Sequence, residues 1–154
     1  MKKLILFLAF ILVLQIGCWT ATILAEGEED NLLIENVLKD YLKNLSTRDL
    51  ESLMNQISVN YSYPDKNGDV DNTKFKFGMK QFLERFKNIS ISNLKLTKLM
   101  AQGNNAVYEI DFNFKAIDIS SNRDVDLKRK RLVSLAKEGG LWKITCFEDK
   151  PAGK

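Results

Sequence analysis

The sequence predicts an α+β domain in which three N-terminal helices pack on a curved, mostly antiparallel sheet. Two observations carry that expectation. Between Leu32 and Asn88 apolar residues recur at helical spacing in three blocks, whereas from Leu94 to Glu148 the period falls to two. The second half is also interrupted by Gln102–Asn105, Ser120–Asp124 and Lys137–Gly140, all of hairpin-forming composition. Helices followed by a meander of long strands read as a helical layer on one face of a sheet.

The first helix is expected over Leu32–Leu45. Leu32, Leu33, Ile34, Val37, Leu38, Tyr41, Leu42 and Leu45 make one wide apolar face, with Asp30 as N-cap. Ser46-Thr47-Arg48-Asp49 then resembles a capping box, with Asp in place of Glu. It opens a second helix over about Thr47–Ile57, whose inward residues are Leu50, Leu53, Met54 and Ile57. Val59, Tyr61 and Tyr63 alternate with polar residues as in a strand, Pro64 ends it, and Asp65–Asp69 is turn chemistry. A third helix, capped by Asn72 or Thr73, runs about Lys74–Asn88 with Phe75, Met79, Phe82, Leu83 and Phe86 along one stripe. Gly78 weakens it by about 1 kcal/mol. Four strands follow, Leu94–Met100, Ala106–Ile117, Val125–Ala136 and Leu141–Glu148.

Ahead of this domain, expected over residues 31–150, the chain has the order of an export signal. Lys2 and Lys3 are followed by an unbroken apolar run, Leu4–Leu14, too short for a comfortable membrane span. Cleavage after Ala25 would leave residues 26–30 as an acidic mature N-terminus. A rival cut precedes Cys18, because Gly17-Cys18 after the apolar run resembles a lipobox and would make Cys18 a lipidation site; Gln15 stands where that motif carries an apolar residue. The protein is thus expected to be periplasmic or extracellular, at a membrane only if Cys18 is lipidated or the signal is retained.

The chain carries 23 basic and 20 acidic residues among 154 and no histidine. Removal of Lys2 and Lys3 with the signal leaves 21 basic residues against 20 acidic ones, a net charge of +1. That balance gives no reason to expect nucleic acid as a partner. Cys146 would be the one cysteine left, so no internal disulfide forms, and without a histidine it has no base to activate it. With Trp142 it shares a face with Ile144, and both are expected in the core. The lack of histidine excludes Ser-His and Cys-His nucleophile pairs and the usual zinc sites. No cofactor and no metal are expected.

The first helix ending in "YLKNLSTRDLESLM", the following "SVNYSYPDKNG", the third helix, and "GNNAVYEIDFNF" leading to a closing "GLWKI" strand resemble the nuclear transport factor 2-like family, with its cone-shaped, cystatin-like fold. That resemblance covers nearly all of residues 30–148 and implies a cavity between helices and sheet, with frequent dimerisation through the sheet. His-dependent dehydratase and cyclase mechanisms of the family are excluded here. In ketosteroid isomerases of this fold a first-helix tyrosine assists a developing oxyanion, a carboxylate after the second helix moves the proton, and a late-strand Asp supports the tyrosine. Tyr41 and Asp65 match the first two positions, and Asp111 and Asp126 are the late-strand candidates, although both fall on the polar face of their hairpin. The plainer reading makes Tyr41 a core-edge residue and Asp65 a turn residue.

The second and third strands can pair so that Asp111 lies beside Lys130 and Lys115 beside Asp126. The same register sets Arg129 beside Phe112 and Arg131 beside Ile110, on the apolar face that also carries Tyr108 and Phe114. Either that face is solvent-exposed or a homodimer interface, or it is a cavity mouth where guanidiniums meet an anion or a carboxylate. Arg129, Arg131, Tyr108 and Phe112 are therefore the candidate ligand-binding residues, for a small apolar or anionic ligand. The function expected is an exported, non-enzymatic binding or interaction module; the alternative is a histidine-free isomerase-like or cyclase-like enzyme using Tyr41 and Asp65.

Overall fold

The computed structural model describes residues 27–66 and 68–149. The export signal and Cys18 lie outside the described residues. The chain divides into two compact units after Leu33, and the sheet and the site belong to the unit that starts at Ile34.

Helix α1 spans residues 27–47, longer at both ends than the apolar pattern suggests. Asp30 is therefore inside the helix rather than its cap; with Glu28 and Glu29 it places negative charge on the first turns, where the helix dipole favours it. Ile34, Leu38, Tyr41, Leu42 and Leu45 form the buried stripe. Ser46 and Thr47 do not cap the next helix. Their hydroxyls donate back to the carbonyls of Leu42 (3.1 Å) and Lys43 (3.2 Å), so they finish α1.

The corner itself is a Schellman turn built on an arginine. Arg48 takes φ 61°, its N–H donates to the Leu45 carbonyl (3.3 Å), and the Asp49 N–H donates to that of Asn44 (3.0 Å). A non-glycine residue there is strained, and the Arg48 guanidinium offsets this by donating to the Leu83 carbonyl at 2.7 Å. Asp49 is the N-cap of α2, Leu50–Met54, accepting from the Ser52 N–H at 3.0 Å.

Helix α2 stops short of Ile57 because the chain there joins the sheet. The Ile144 N–H donates to the Gln56 carbonyl, and the Ser58 N–H to the Ile144 carbonyl, both at 2.8 Å. The strand expected over 59–63 shrinks accordingly. Val59 is 81% exposed, Tyr61 is buried, and only β1, Ser62–Tyr63, pairs with β2, Val70–Asp71. Asp71 caps α3, Asn72–Arg85, by accepting from the Lys74 N–H at 2.8 Å. Asn72, one of the two expected caps, instead donates to the Ser58 carbonyl at 2.7 Å.

The main sheet has the order β3-β4-β5-β6, all antiparallel: Phe86–Gln102, Asn105–Asp118, Arg123–Glu138 and Leu141–Asp149. Strand β3 starts directly at the end of α3, eight residues earlier than expected from Leu94. Register shifts at Lys87/Ser90, Ser92/Lys95 and Lys98/Met100, with Asn88 and Asn93 both at φ 54°, broke its alternation and bend it. The β5–β6 turn is Gly139-Gly140, at φ 57° and 83°, a two-residue hairpin that requires positive φ at both positions.

The β4–β5 register is the expected one, pairing Asp111 with Lys130, Lys115 with Asp126, Phe112 with Arg129 and Ile110 with Arg131. On the polar face Lys115 bonds Asp126 directly at 2.8 Å, while Lys128–Asp111 (3.3 Å) and Lys130–Glu109 (2.9 Å) are diagonal. The core lies on the opposite face, where Ala106, Tyr108, Ile110, Phe112, Phe114 and Ala116 meet the helices' apolar stripes. Between Ser134 and Leu135 the β5–β6 register slips by one residue at Thr145. That bulge corrects the expectation for Cys146. Trp142 and Ile144 are buried as expected, but Cys146 is only half-buried and Phe147 takes the core position.

The far end of the sheet is locked by Asp118. It accepts from Arg85 Nε (2.8 Å), the Ser120 N–H (2.9 Å) and the Ser120 hydroxyl (2.5 Å), and Arg85 Nη2 lies 2.7 Å away. These bonds, the Ser120 hydroxyl foremost and then Arg85, hold its pKa down at about 2. A depressed carboxylate stabilises the fold at any pH above its unfolded value near 4, and the contribution disappears as pH falls from there through about 2. Asp118→Asn is accordingly expected to lower the melting temperature at pH 7 and to flatten its fall between pH 4 and pH 2, read from melting curves across that range.

Candidate functional site

A cavity of about 400 Å³ opens between α1, α3 and the core face of β4 and β5. The apolar wall follows from helix and strand periodicity. Phe75, Gly78, Met79 and Phe82 lie three or four residues apart on α3, and Phe112 and Phe114 are alternate residues on β4. Tyr41 and Leu45 of α1 and Val70 of β2 close the remaining sides. Aromatic contacts fix the shape: Phe82 sits 5.7 Å from Phe114, and behind the wall Tyr41 and Phe75 pack on Phe147 at 4.9 and 5.9 Å.

Gly78 is the gap in this wall. A side chain built there would meet nothing within 4 Å, so the space over the helix stays open because residue 78 has none.

Three cations line the cavity, and each is handled differently. Arg131 Nε donates to Asp149 Oδ1 at 2.5 Å and Nη2 to Oδ2 at 3.3 Å, a two-pronged pair, while the guanidinium stands 5.7 Å over the Phe147 ring. Lys74 donates its ammonium to the Asp69 carbonyl at 2.7 Å, a neutral acceptor. Arg129 is exposed and makes no hydrogen bond or ion pair with any described residue. No carboxylate is among the described lining residues. Tyr41 is buried and its hydroxyl is pushed up to about 12 by desolvation, with Arg131 pulling the other way, so it is a proton donor and not a base at neutral pH.

The sequence-derived candidates divide cleanly. Tyr41, Phe112, Arg129 and Arg131 meet in this cavity. Tyr108 does not line it; it is 1% exposed, packed in the core, with its hydroxyl pKa raised by burial first and by Glu35 second. Asp65 is exposed in the turn after β1, where its carboxylate accepts from the Lys66 N–H at 2.7 Å. Asp65 therefore does not line the cavity that Tyr41 lines. Asp111 and Asp126, the late-strand candidates, sit on the opposite face in ion pairs with Lys128 and Lys115. The apolar wall was read only as core, and two charged residues were not among the candidates: Lys74, which lines the cavity, looked like the first residue of a helix, and Asp149, the partner of Arg131, lay one residue past the expected end of the last strand.

No family model matches the chain, and no curated protein matches it. Solved structures do. A nuclear transport factor 2-like superfamily protein from Salmonella enterica serovar Typhimurium superposes with a TM-score of 0.65 at 19% identity, over 79% of this chain and 89% of the other. A provisionally assigned scytalone dehydratase from Novosphingobium aromaticivorans gives 0.67 at 15% identity, over 83% and 96%. A protein of unknown function with a cystatin-like fold from Nostoc punctiforme gives 0.56 at 15% identity, over 80% and 92%. At these identities the likeness concerns the fold.

Proposed function

The chain has the nuclear transport factor 2-like fold, and on that premise we propose that it is an exported, non-enzymatic module that binds a small apolar molecule in the cavity between α3 and the sheet. The observation that carries this is the composition of the wall, phenylalanines and a methionine around about 400 Å³, within the size range of small-molecule sites. The absence of a carboxylate or histidine among the described lining residues supports binding over turnover. Tyr41 is held protonated, the chain has no histidine, and Asp65 is committed to its own turn. The dehydratase assignment of the Novosphingobium neighbour belongs to that protein; a His-dependent dehydration has no residue to run on here. Export rests on the order of residues 1–25.

The test is calorimetric titration of the purified chain with decanol and 1-naphthol, followed by chromatographic recovery of each ligand and of small ketone and lactone substrates. Saturable one-to-one binding with full recovery is expected. Turnover that disappears in Tyr41→Phe would overturn the reading in favour of the isomerase-like alternative.

A further inference from the structure

We propose that the cavity selects molecules bearing a carboxylate on an apolar body, with Arg129 at the mouth receiving the carboxylate. This deepens the binding reading above and rests on it. Among the described lining residues, charge is of one sign only. Lys74, Arg129 and Arg131 contribute three positive groups, and among the described residues the one carboxylate in an ion pair with any of them, Asp149, is already engaged in the two-pronged pair with Arg131. The bond from Lys74 to the Asp69 carbonyl satisfies a donor but cancels no charge. Two positive charges are left for a ligand to meet.

Their placement gives the ligand a direction. Arg129 is exposed while its cross-strand neighbour Phe112 is 5% exposed, so one rung of the sheet passes from solvated guanidinium to buried ring. A headgroup at Arg129 remains partly hydrated, and the body behind it lies along Phe112, Phe114 and Met79. The planar fork of a guanidinium seats a carboxylate through two parallel hydrogen bonds, and no described residue engages that fork of Arg129. At roughly 30 Å³ per water-sized group, the cavity takes about a dozen non-hydrogen atoms, the size of a medium-chain fatty acid or a bicyclic aryl carboxylate.

Decanoate and decanol share a body and differ in the head, so their affinity ratio isolates the carboxylate. Titrated into the full chain at low salt, decanoate is expected to bind at least about tenfold more tightly than decanol, the worth of one charged hydrogen-bonded contact. Arg129→Gln breaks no hydrogen bond or ion pair with a described residue, and is expected to bring the ratio close to one. Lys128→Gln takes the same charge from the opposite face, where Lys128 pairs with Asp111, and is expected to keep the wild-type ratio. Equal binding of the two ligands by the wild type would overturn the carboxylate preference while leaving the apolar cavity in place. An equal loss in Lys128→Gln would also overturn it, by showing a general field effect. Binding of neither ligand would overturn the cavity reading and this inference with it.

Discussion

Ile144→Ala is expected to cost about 2–5 kcal/mol of folding free energy, a large share of the roughly 5–15 kcal/mol that holds a domain of this size together. Ile144 is 0% exposed, so the deleted atoms leave a void that the surrounding core only partly fills. Its position raises the stakes. The Ile144 backbone bridges Ile57, joining the end of α2 to the last strand through two 2.8 Å hydrogen bonds. Urea denaturation should show a lower midpoint with an unchanged slope. A reduced slope would instead mean that the α2 joint comes apart separately from the sheet.

Gly78→Leu is expected to do the opposite, abolishing binding without weakening the fold. Leucine is about 1 kcal/mol more favourable than glycine inside a helix, and a Cβ at residue 78 meets nothing within 4 Å. Gly78 lines the cavity, so a leucine there is expected to take up space that the ligand needs. Affinity for decanol should fall on the order of 100-fold, nearly 3 kcal/mol, while the melting temperature stays level or rises. A mutant that still bound decanol at wild-type strength would remove this face of α3 from the site.

How far the sequence carried these conclusions depended on whether local and tertiary demands agreed. The α1 stripe from Ile34 to Leu45 and the β4–β5 ladder were legible because period, burial and charge pairing point the same way there. The face of Arg129 and Arg131 followed from charge pairing in one supposed register, which is the one the sheet has; a one-residue slip would have exchanged the faces. What defeated the pattern was irregular backbone. Two asparagines at positive φ broke the alternation in β3, and the bulge at Thr145 exchanged Cys146 for Phe147 in the core. The caps misled for a related reason: Ser46, Asn72 and Thr73 have capping chemistry, but Asp49 and Asp71 sit one residue before the helix with a carboxylate in reach of an N–H.

The site was legible only in part, and its residues explain why. Phe75, Met79 and Phe82 have the spacing of any core stripe, and nothing local says that they face a void rather than a neighbour. Gly78 in mid-helix was the one visible signal, since a glycine that costs helix stability needs a packing or functional reason. Tyr41 and Asp65 fit the spacing of a known catalytic pair, yet spacing along a chain does not fix the direction of a turn residue, and Asp65 is spent on the Lys66 N–H.

The most direct measurement of the central claim, a ligand cavity between α3 and the sheet, is a chemical-shift titration of the isotope-labelled chain with decanol, whose neutral head makes the result independent of Arg129. The largest changes are expected at Leu45, Phe75, Gly78, Met79 and Phe114, which surround the cavity. Changes confined to the polar face around Lys115 and Lys128, or no saturable change at all, would contradict it.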